Sequence, residues 1–303
     1  MDDIKRDFEG KFPGMSLNLT IDLSKYLDVR LDEQLASDNV YVDSIILQTV
    51  HNFPRWAQDN ALLNYAPLGV DQVYPAFKDS ESSSWYGLEI LYWKNIWSTE
   101  KLPGADFDTF QEFLKPGYKN RLVLAYPNDE DAVLFAFDLI MQRHGRAWFD
   151  ALLKQNPRWI RGVTRTSTII RECNSSAAAS FTSTAGFRPS PGLGSAFPKD
   201  DLFVSWAQTG AILKKAPHPE GAKLLHAYLL SREVQESMGW SVRADVPPPA
   251  GLPDIMHMPT TNPTAFARWM SDRQTVERLR LWFESKLGTP QGESPLVSGK
   301  GYD

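Results

Sequence analysis

Residues 203–235 read FVSWAQTGAILKKAPHPEGAKLLHAYLLSREVQ. Two short apolar runs, 203–206 and 211–213, flank Gln208-Thr209-Gly210, which predicts two strands joined by a turn. Pro217 and Pro219 end the extended stretch, and Pro219 is suited to a first helical turn. From there to residue 230, Ala222, Leu225 and Leu229 fall on one helical face. A strand that leads directly into an amphipathic helix is the building unit of a layered α/β protein.

Outward from this segment the same alternation recurs. Residues 2–11 predict a helix closed by Pro13-Gly14, and Leu17, Leu19 and Ile21 alternate as in a half-buried strand. Residues 28–37 predict a helix with Val29, Leu31 and Leu35 inward. A strand at 44–47 carries Gln48-Thr49 at its carboxyl end, and a helix covers 53–60. The aromatic run 85–97 predicts strands with a bend. A strand at 121–125 stops at Tyr126-Pro127, and 128–144 is apolar nearly all round, as a buried helix is. Trp148, Phe149, Leu152 and Leu153 mark another helix. The Ser-, Ala-, Gly- and Pro-rich stretch 175–194 predicts a strand with long loops. Val276, Leu279, Phe283 and Leu287 stripe a final helix, and 289–303 lacks apolar pattern, as a loose tail does.

Composition narrows the function classes. The 303 residues suggest two domains. Acidic residues number 37 and basic ones 32, a net charge of −5. With no basic run, this excludes a nucleic-acid binder, and no apolar stretch is long enough for membrane insertion. The single cysteine, Cys173, cannot form an internal disulfide. The five histidines show no metal-ligand spacing, so no metal is expected. No Gly-rich phosphate loop, cofactor motif or Gly-x-Ser-x-Gly elbow occurs. The start, Met1-Asp2-Asp3-Ile4-Lys5-Arg6, is not an export signal. It implies a cytoplasmic chain as written, or an extracellular or periplasmic one if a leader was removed.

Several residue groups could bind a ligand. Asn128-Asp129-Glu130-Asp131 follows a strand, where Asn128 either caps the next helix or faces a ligand with the carboxylates. Carboxylates there favour a cation, an amine or a hydroxyl-bearing ligand. Tyr92, Trp93 and Asn95 form either core or a stacking wall, and alternation places Tyr92 and Trp93 on opposite faces. Gln48, Thr49, Ser205, Trp206 and Gln208 offer hydrogen-bonding or aromatic groups at strand ends. Ser175 lies in a hydroxyl-rich loop that is either a turn or a ligand contact.

The ordered segments resemble a known family. Phe-Glu-Gly-Lys-Phe-Pro at 8–13, the run from Trp206 to Lys214, Ala216-Pro217-His218-Pro219-Glu220-Gly221-Ala222 through Ser231 to Gln235, and Val242-Arg243-Ala244-Asp245-Val246 are similar to bacterial solute-binding proteins of ABC transporters, specifically the ferric-iron type. Asp22-Leu23-Ser24-Lys25-Tyr26, Phe53-Pro54-Arg55-Trp56 and Tyr126-Pro127-Asn128-Asp129 resemble a fungal branch. The resemblance implies a type 2 periplasmic-binding-protein-like α/β fold: two lobes, a hinge and an interlobe cleft holding a small-molecule ligand. Lobe one would comprise 1–95 and 203–303, and lobe two 96–202, with crossings near 92–95 and 198–203. Two departures stand out. Residues 177–187 contain no tyrosine, whereas the iron binders use a Tyr-Tyr pair there, so ferric iron is not the expected ligand. The chain also begins in the family's first helix, so the first strand is expected to be missing. An alternative follows for a chain inside the cell: the fold recruited as a cyclase, lyase or isomerase, with Asp129 or Asp131 as acid or base and Tyr92 as positioning or protonating group.

Overall fold

The computed structural model describes residues 2–183, 190–293 and 295. Its contacts divide the chain into two units, one holding Met1–Ile90 and Ala207–Pro248, the other Leu91–Trp206 and Pro249–Ser294.

The first unit begins with α1 (Asp2–Lys11), whose Phe8 packs on Phe12 and Tyr228 at 5.1 and 5.6 Å. The strand expected at Leu17 does not form, because α1 satisfies that backbone itself. Glu9 Oε1 accepts from Leu17 N at 2.7 Å and Lys5 Nζ donates to Leu17 O at 2.5 Å. Helix α2 (Ser24–Ala36) buries Asp28, Leu31 and Gln34 and turns Val29 outward, opposite to the expectation. Asp28 is turned inward by Asn52 Nδ2, which donates to it at 2.9 Å, and Gln34 by Tyr41 N at 3.1 Å. Strand β1 (Ser44–Leu47) and α3 (Asn52–Gln58) follow. Strand β2 (Tyr86–Ser98) begins in this unit, and β7 (Ser205–Ile212) ends in it. The sheet order is β1-β7-β2, with β1 and β7 antiparallel from Ser44↔Ile212 to Leu47↔Thr209. Leu31, Ile45, Leu47, Phe53, Trp56 and Leu213 form the core on which this sheet rests.

Two expected breaks are continuous strand. Strand β2 has no bend, and Gln208-Thr209-Gly210 is not a turn but the middle of β7. Gly210 is required by packing: a Cβ there would lie 2.4 Å from Leu88 Cδ1.

After β7, α7 (Pro219–Leu229) and α8 (Arg232–Ser237) carry two buried polar anchors. Gln235 donates to Leu88 O and Leu229 O at 2.7 and 2.8 Å, and accepts from Ser241 Oγ and Val242 N at 2.7 and 3.2 Å. His226 is fully buried, with Nε2 2.6 Å from Ser44 Oγ and Nδ1 2.9 Å from Tyr86 OH. Burial pushes its imidazole down to about 3.

In the second unit the rest of β2 pairs antiparallel with β5 (Ala179–Ser183) and β6 (Leu193–Ala196). Strands β3 (Val123–Ala125) and β4 (Arg158–Ile160) form a parallel pair. Helices α4 (Asp131–His144), α5 (Arg146–Lys154) and α6 (Thr166–Arg171) connect and cover these strands. Residues 249–294, expected in the first lobe, belong here. Their helices α9 (Ala265–Ser271) and α10 (Arg273–Leu287) pack aromatic rings onto α4 and α5. Phe283 lies 5.5 Å from Phe137 and 5.0 Å from Phe149, and Phe266 lies 5.5 Å from Phe135. Rings of this size dominate the energetics of any core they join. The described part of the expected tail is tied down: Gly288 O accepts from Asn128, and Glu293 pairs with Arg165. The remainder of that tail, 294 and 296–303, and positions 184–187 of the stretch without tyrosine lie outside the described residues.

Candidate functional site

Strands β3 and β4 run parallel and point their carboxyl ends the same way. Open α/β sheets hold ligands at such strand ends. The chain leaving β3 carries Asn128, Asp129 and Asp131, and the chain leaving β4 carries Arg161 and then Thr166. Arg161 Nε donates to Asp129 Oδ2 at 2.9 Å, and Arg280 of α10 donates to Asp131 Oδ1 at 2.5 Å. Asp129 and Asp131 are buried, with side chains 1% and 4% exposed, so each ion pair is held largely away from solvent. A buried charge persists only when it is paired and hydrogen-bonded, and these pairs meet that condition.

The structure revises the reading of this segment in two ways. Asn128 does not cap α4; the cap position is Glu130, whose side chain makes no capping bond. The Asn128 amide instead donates to Gly288 O at 3.0 Å. The Asp129 and Asp131 carboxylates are also each matched by a guanidinium group, with Glu130 the third carboxylate of the segment. Asp129 and Asp131, each considered as acid or base, are thus held in ion pairs in this structure.

Two polar atoms at these strand ends are buried without a partner: Asn128 Oδ1 and Thr166 Oγ1. Their residues are 5% and 1% exposed. An orphaned buried acceptor or hydroxyl costs about 1–3 kcal/mol, so it calls for a reason.

The other expected residues are placed as follows. In the second unit Tyr92 is buried with its ring 5.9 Å from Phe197, and Lys94 Nζ lies 4.8 Å from the Phe197 ring. Burial lowers the Lys94 ammonium from its ordinary value. Trp93 is in the core, 6.2 Å from Phe181, as alternation on β2 requires. Asn95 donates to Phe107 O at 2.7 Å. Trp93 and Asn95 border a cavity of about 10 Å³, room for one water at most, and Trp93 Nε1 and Asn95 Oδ1 are buried without a partner. Ser205 Oγ is 2.7 Å from Thr261 Oγ1, which in turn donates to Phe203 O, and Trp206 packs 5.4 Å from Phe266. Both are core groups. Ser175 belongs to a turn: its hydroxyl accepts from Ala177 N, and its carbonyl is one of four, with Ile170, Glu172 and Ala177, that accept from Lys101 Nζ at 2.7–3.0 Å. In the first unit Gln48 is buried and its backbone N donates to Ser24 Oγ at 3.0 Å. Thr49 Oγ1 is buried without a partner, and Gln208 is half-buried on β7.

The residues that sequence reasoning missed are Arg161, Thr166 and Arg280. Arg161-Gly162 directly after the short β4 was an available signal; Arg280, 149 positions from Asp131, was not. Among the described residues no group of three or more His, Cys, Asp and Glu could hold a metal, and no helix is long and apolar enough to cross a membrane.

Comparisons with known proteins agree with this architecture. The periplasmic binding protein AfuA of Actinobacillus pleuropneumoniae, solved with exogenous fructose-6-phosphate bound, matches with a TM-score of 0.71 at 17% identity, over 94% of this chain and 95% of that one. Iron-bound HitA of Pseudomonas aeruginosa matches with a TM-score of 0.65 at 15% identity, over 92% and 94%. A putative spermidine/putrescine ABC transporter protein of Listeria monocytogenes matches with a TM-score of 0.63 at 15% identity, over 94% and 96%. At these identities the likeness is one of fold, the type 2 periplasmic-binding-protein fold. No curated protein matches the sequence. The family model described as bacterial extracellular solute-binding protein matches residues 33–238, more than half of the chain. The chain therefore belongs to the bacterial extracellular solute-binding proteins.

Proposed function

We propose that this chain binds a small, hydroxyl-bearing organic solute, with the strand ends after β3 and β4 supplying contacts. The observation that carries this is the pair of orphaned buried groups, Asn128 Oδ1 and Thr166 Oγ1. A hydroxyl can donate to the amide oxygen and can exchange either role with the threonine. The Asp129 and Asp131 carboxylates are each matched by a guanidinium, of Arg161 and Arg280, which lowers their pull on a bare cation. The sequence also has no tyrosine between Tyr126 and Tyr228, which leaves that stretch without phenolates for ferric iron. The AfuA structure, with its bound sugar phosphate, shows the fold holding a hydroxylated solute. Tyr92, in the same unit, is proposed as a further contact, and the fungal kinship belongs to the same reading.

Thermal melting of the intact chain with fructose, fructose-6-phosphate, spermidine or ferric citrate tests it. A binder raises stability by about 2.7 kcal/mol at a hundredfold excess over Kd. The expected result is stabilisation by a hydroxylated compound, weakened in Asn128→Leu and Thr166→Val. Stabilisation by spermidine or ferric citrate alone, by none of the four, or equally in both variants would overturn the reading.

A further inference from the structure

A second cavity lies wholly within the first unit. It is a groove of about 600 Å³ between the end of α2, the end of α3 and the chain leaving β7. That volume is in the range of small-ligand sites. Leu35, Val40 and Ala61 give it an apolar floor, and all three rest on the core cluster beneath. Its rim carries charges of both signs, most of them committed. Arg55 donates to both Asp32 oxygens at 3.0 and 2.8 Å, and Trp56 Nε1 donates to Asp32 Oδ1 at 2.7 Å. Lys215 pairs with Asp38.

Two rim groups are not committed in this way. The Asp59 carboxylate has no hydrogen bond or ion pair among the described residues. Among the described residues the Lys214 ammonium donates only to the neutral Asn60 Oδ1, at 2.5 Å. The two are held near each other by local geometry. Asn60 takes a left-handed conformation with φ of 56°, which asparagine tolerates, and Lys214 N donates to Ala61 O at 2.8 Å. They do not pair with each other, although they share one rim over an apolar floor. That arrangement is complementary to a molecule with an ammonium, an apolar body and a carboxylate.

We propose that this groove binds a small apolar zwitterion, such as a short peptide of aliphatic residues, with its amine on Asp59, its carboxylate on Lys214 and its side chains on Leu35, Val40 and Ala61. The inference rests on the first unit alone and does not depend on the solute-binding reading above.

Isothermal titration of the full chain with leucyl-leucine, its N-acetyl derivative and its C-terminal amide provides the test. Leucyl-leucine binds saturably, and blocking either end weakens it by on the order of fivefold, the most an exposed pair supplies. Asp59→Asn abolishes the penalty of acetylation and Lys214→Met that of amidation; both side chains are exposed, so both variants fold. Absence of saturable binding overturns the proposal. So does binding indifferent to both blocked ends, or binding lost in Asn128→Leu while unchanged in Asp59→Asn, which would place the peptide at the second unit's strand ends.

Discussion

Two buried polar regions of this molecule differ in one respect. In the first unit, His226 has both ring nitrogens engaged, by Ser44 and Tyr86, and Gln235 fills four hydrogen bonds. In the second unit, Asn128 and Thr166 each keep an atom unsatisfied at comparable burial. A satisfied network makes a core specific and rigid, while an orphaned group costs stability in the unliganded protein. The contrast sets polar groups that the fold satisfies against groups such as Asn128 and Thr166, and Thr49 of the first unit, that it leaves without a partner.

The largest test breaks a satisfied cluster inside the second unit itself. Lys101 Nζ donates to four backbone carbonyls that close the chain from α6 to β5. Lys101→Met takes the donor from the Ile170, Ser175 and Ala177 carbonyls, while Glu172 O keeps Ser175 N, and should cost roughly 3–5 kcal/mol, read from denaturant midpoints. A cost under about 1 kcal/mol would show that solvent replaces the lysine, and that satisfaction of such groups matters little here.

His226 gives the next effect, and its sign follows from linkage. The folded-state value, about 3, lies below the ordinary 6.5, so the unfolded chain takes up a proton that the folded chain refuses. The contribution is complete above pH 6.5 and is lost as pH falls towards 3, at about 1.4 kcal/mol per pH unit. Unfolding free energies at pH 7 and pH 4 should therefore differ by roughly 3 kcal/mol from this group. His226→Leu should be destabilised at pH 7 and lose that part of the pH slope; an unchanged slope would assign acid sensitivity to other groups.

The smallest effect sharpens the comparison most. Thr166→Val removes a hydroxyl that nothing satisfies, so the unliganded chain should gain about 0.5–1 kcal/mol while affinity for a hydroxylated solute falls. A loss of stability would mean that the hydroxyl already has a partner, and the second unit would then resemble the first.

Much of the fold was legible. The helix expected at 2–11 is α1, the strand at 44–47 is β1, and the proline-started helix is α7. These elements carry their own periodicity or caps. Less local features were misread. Gly210 carried the signature of a turn, yet its small size serves the approach of Leu88 from another strand. Asn128 had every local mark of a helix cap, and its amide is taken by a carbonyl 160 positions away. Of the candidate site, Asn128, Asp129 and Asp131 could be chosen because they follow a strand. Their guanidinium partners could not be paired with them without the fold.

Taken alone, the sequence determined the alternation of strands and helices, the family likeness, and which strand ends carry polar residues, because hydrophobic period, proline placement and motif order are local properties of the chain. The tertiary structure decided which guanidinium groups meet Asp129 and Asp131, the placement of 249–294 in the second unit, and which polar atoms are left without a partner. Those outcomes depend on contacts between residues far apart in sequence, and neither composition nor spacing encodes such contacts.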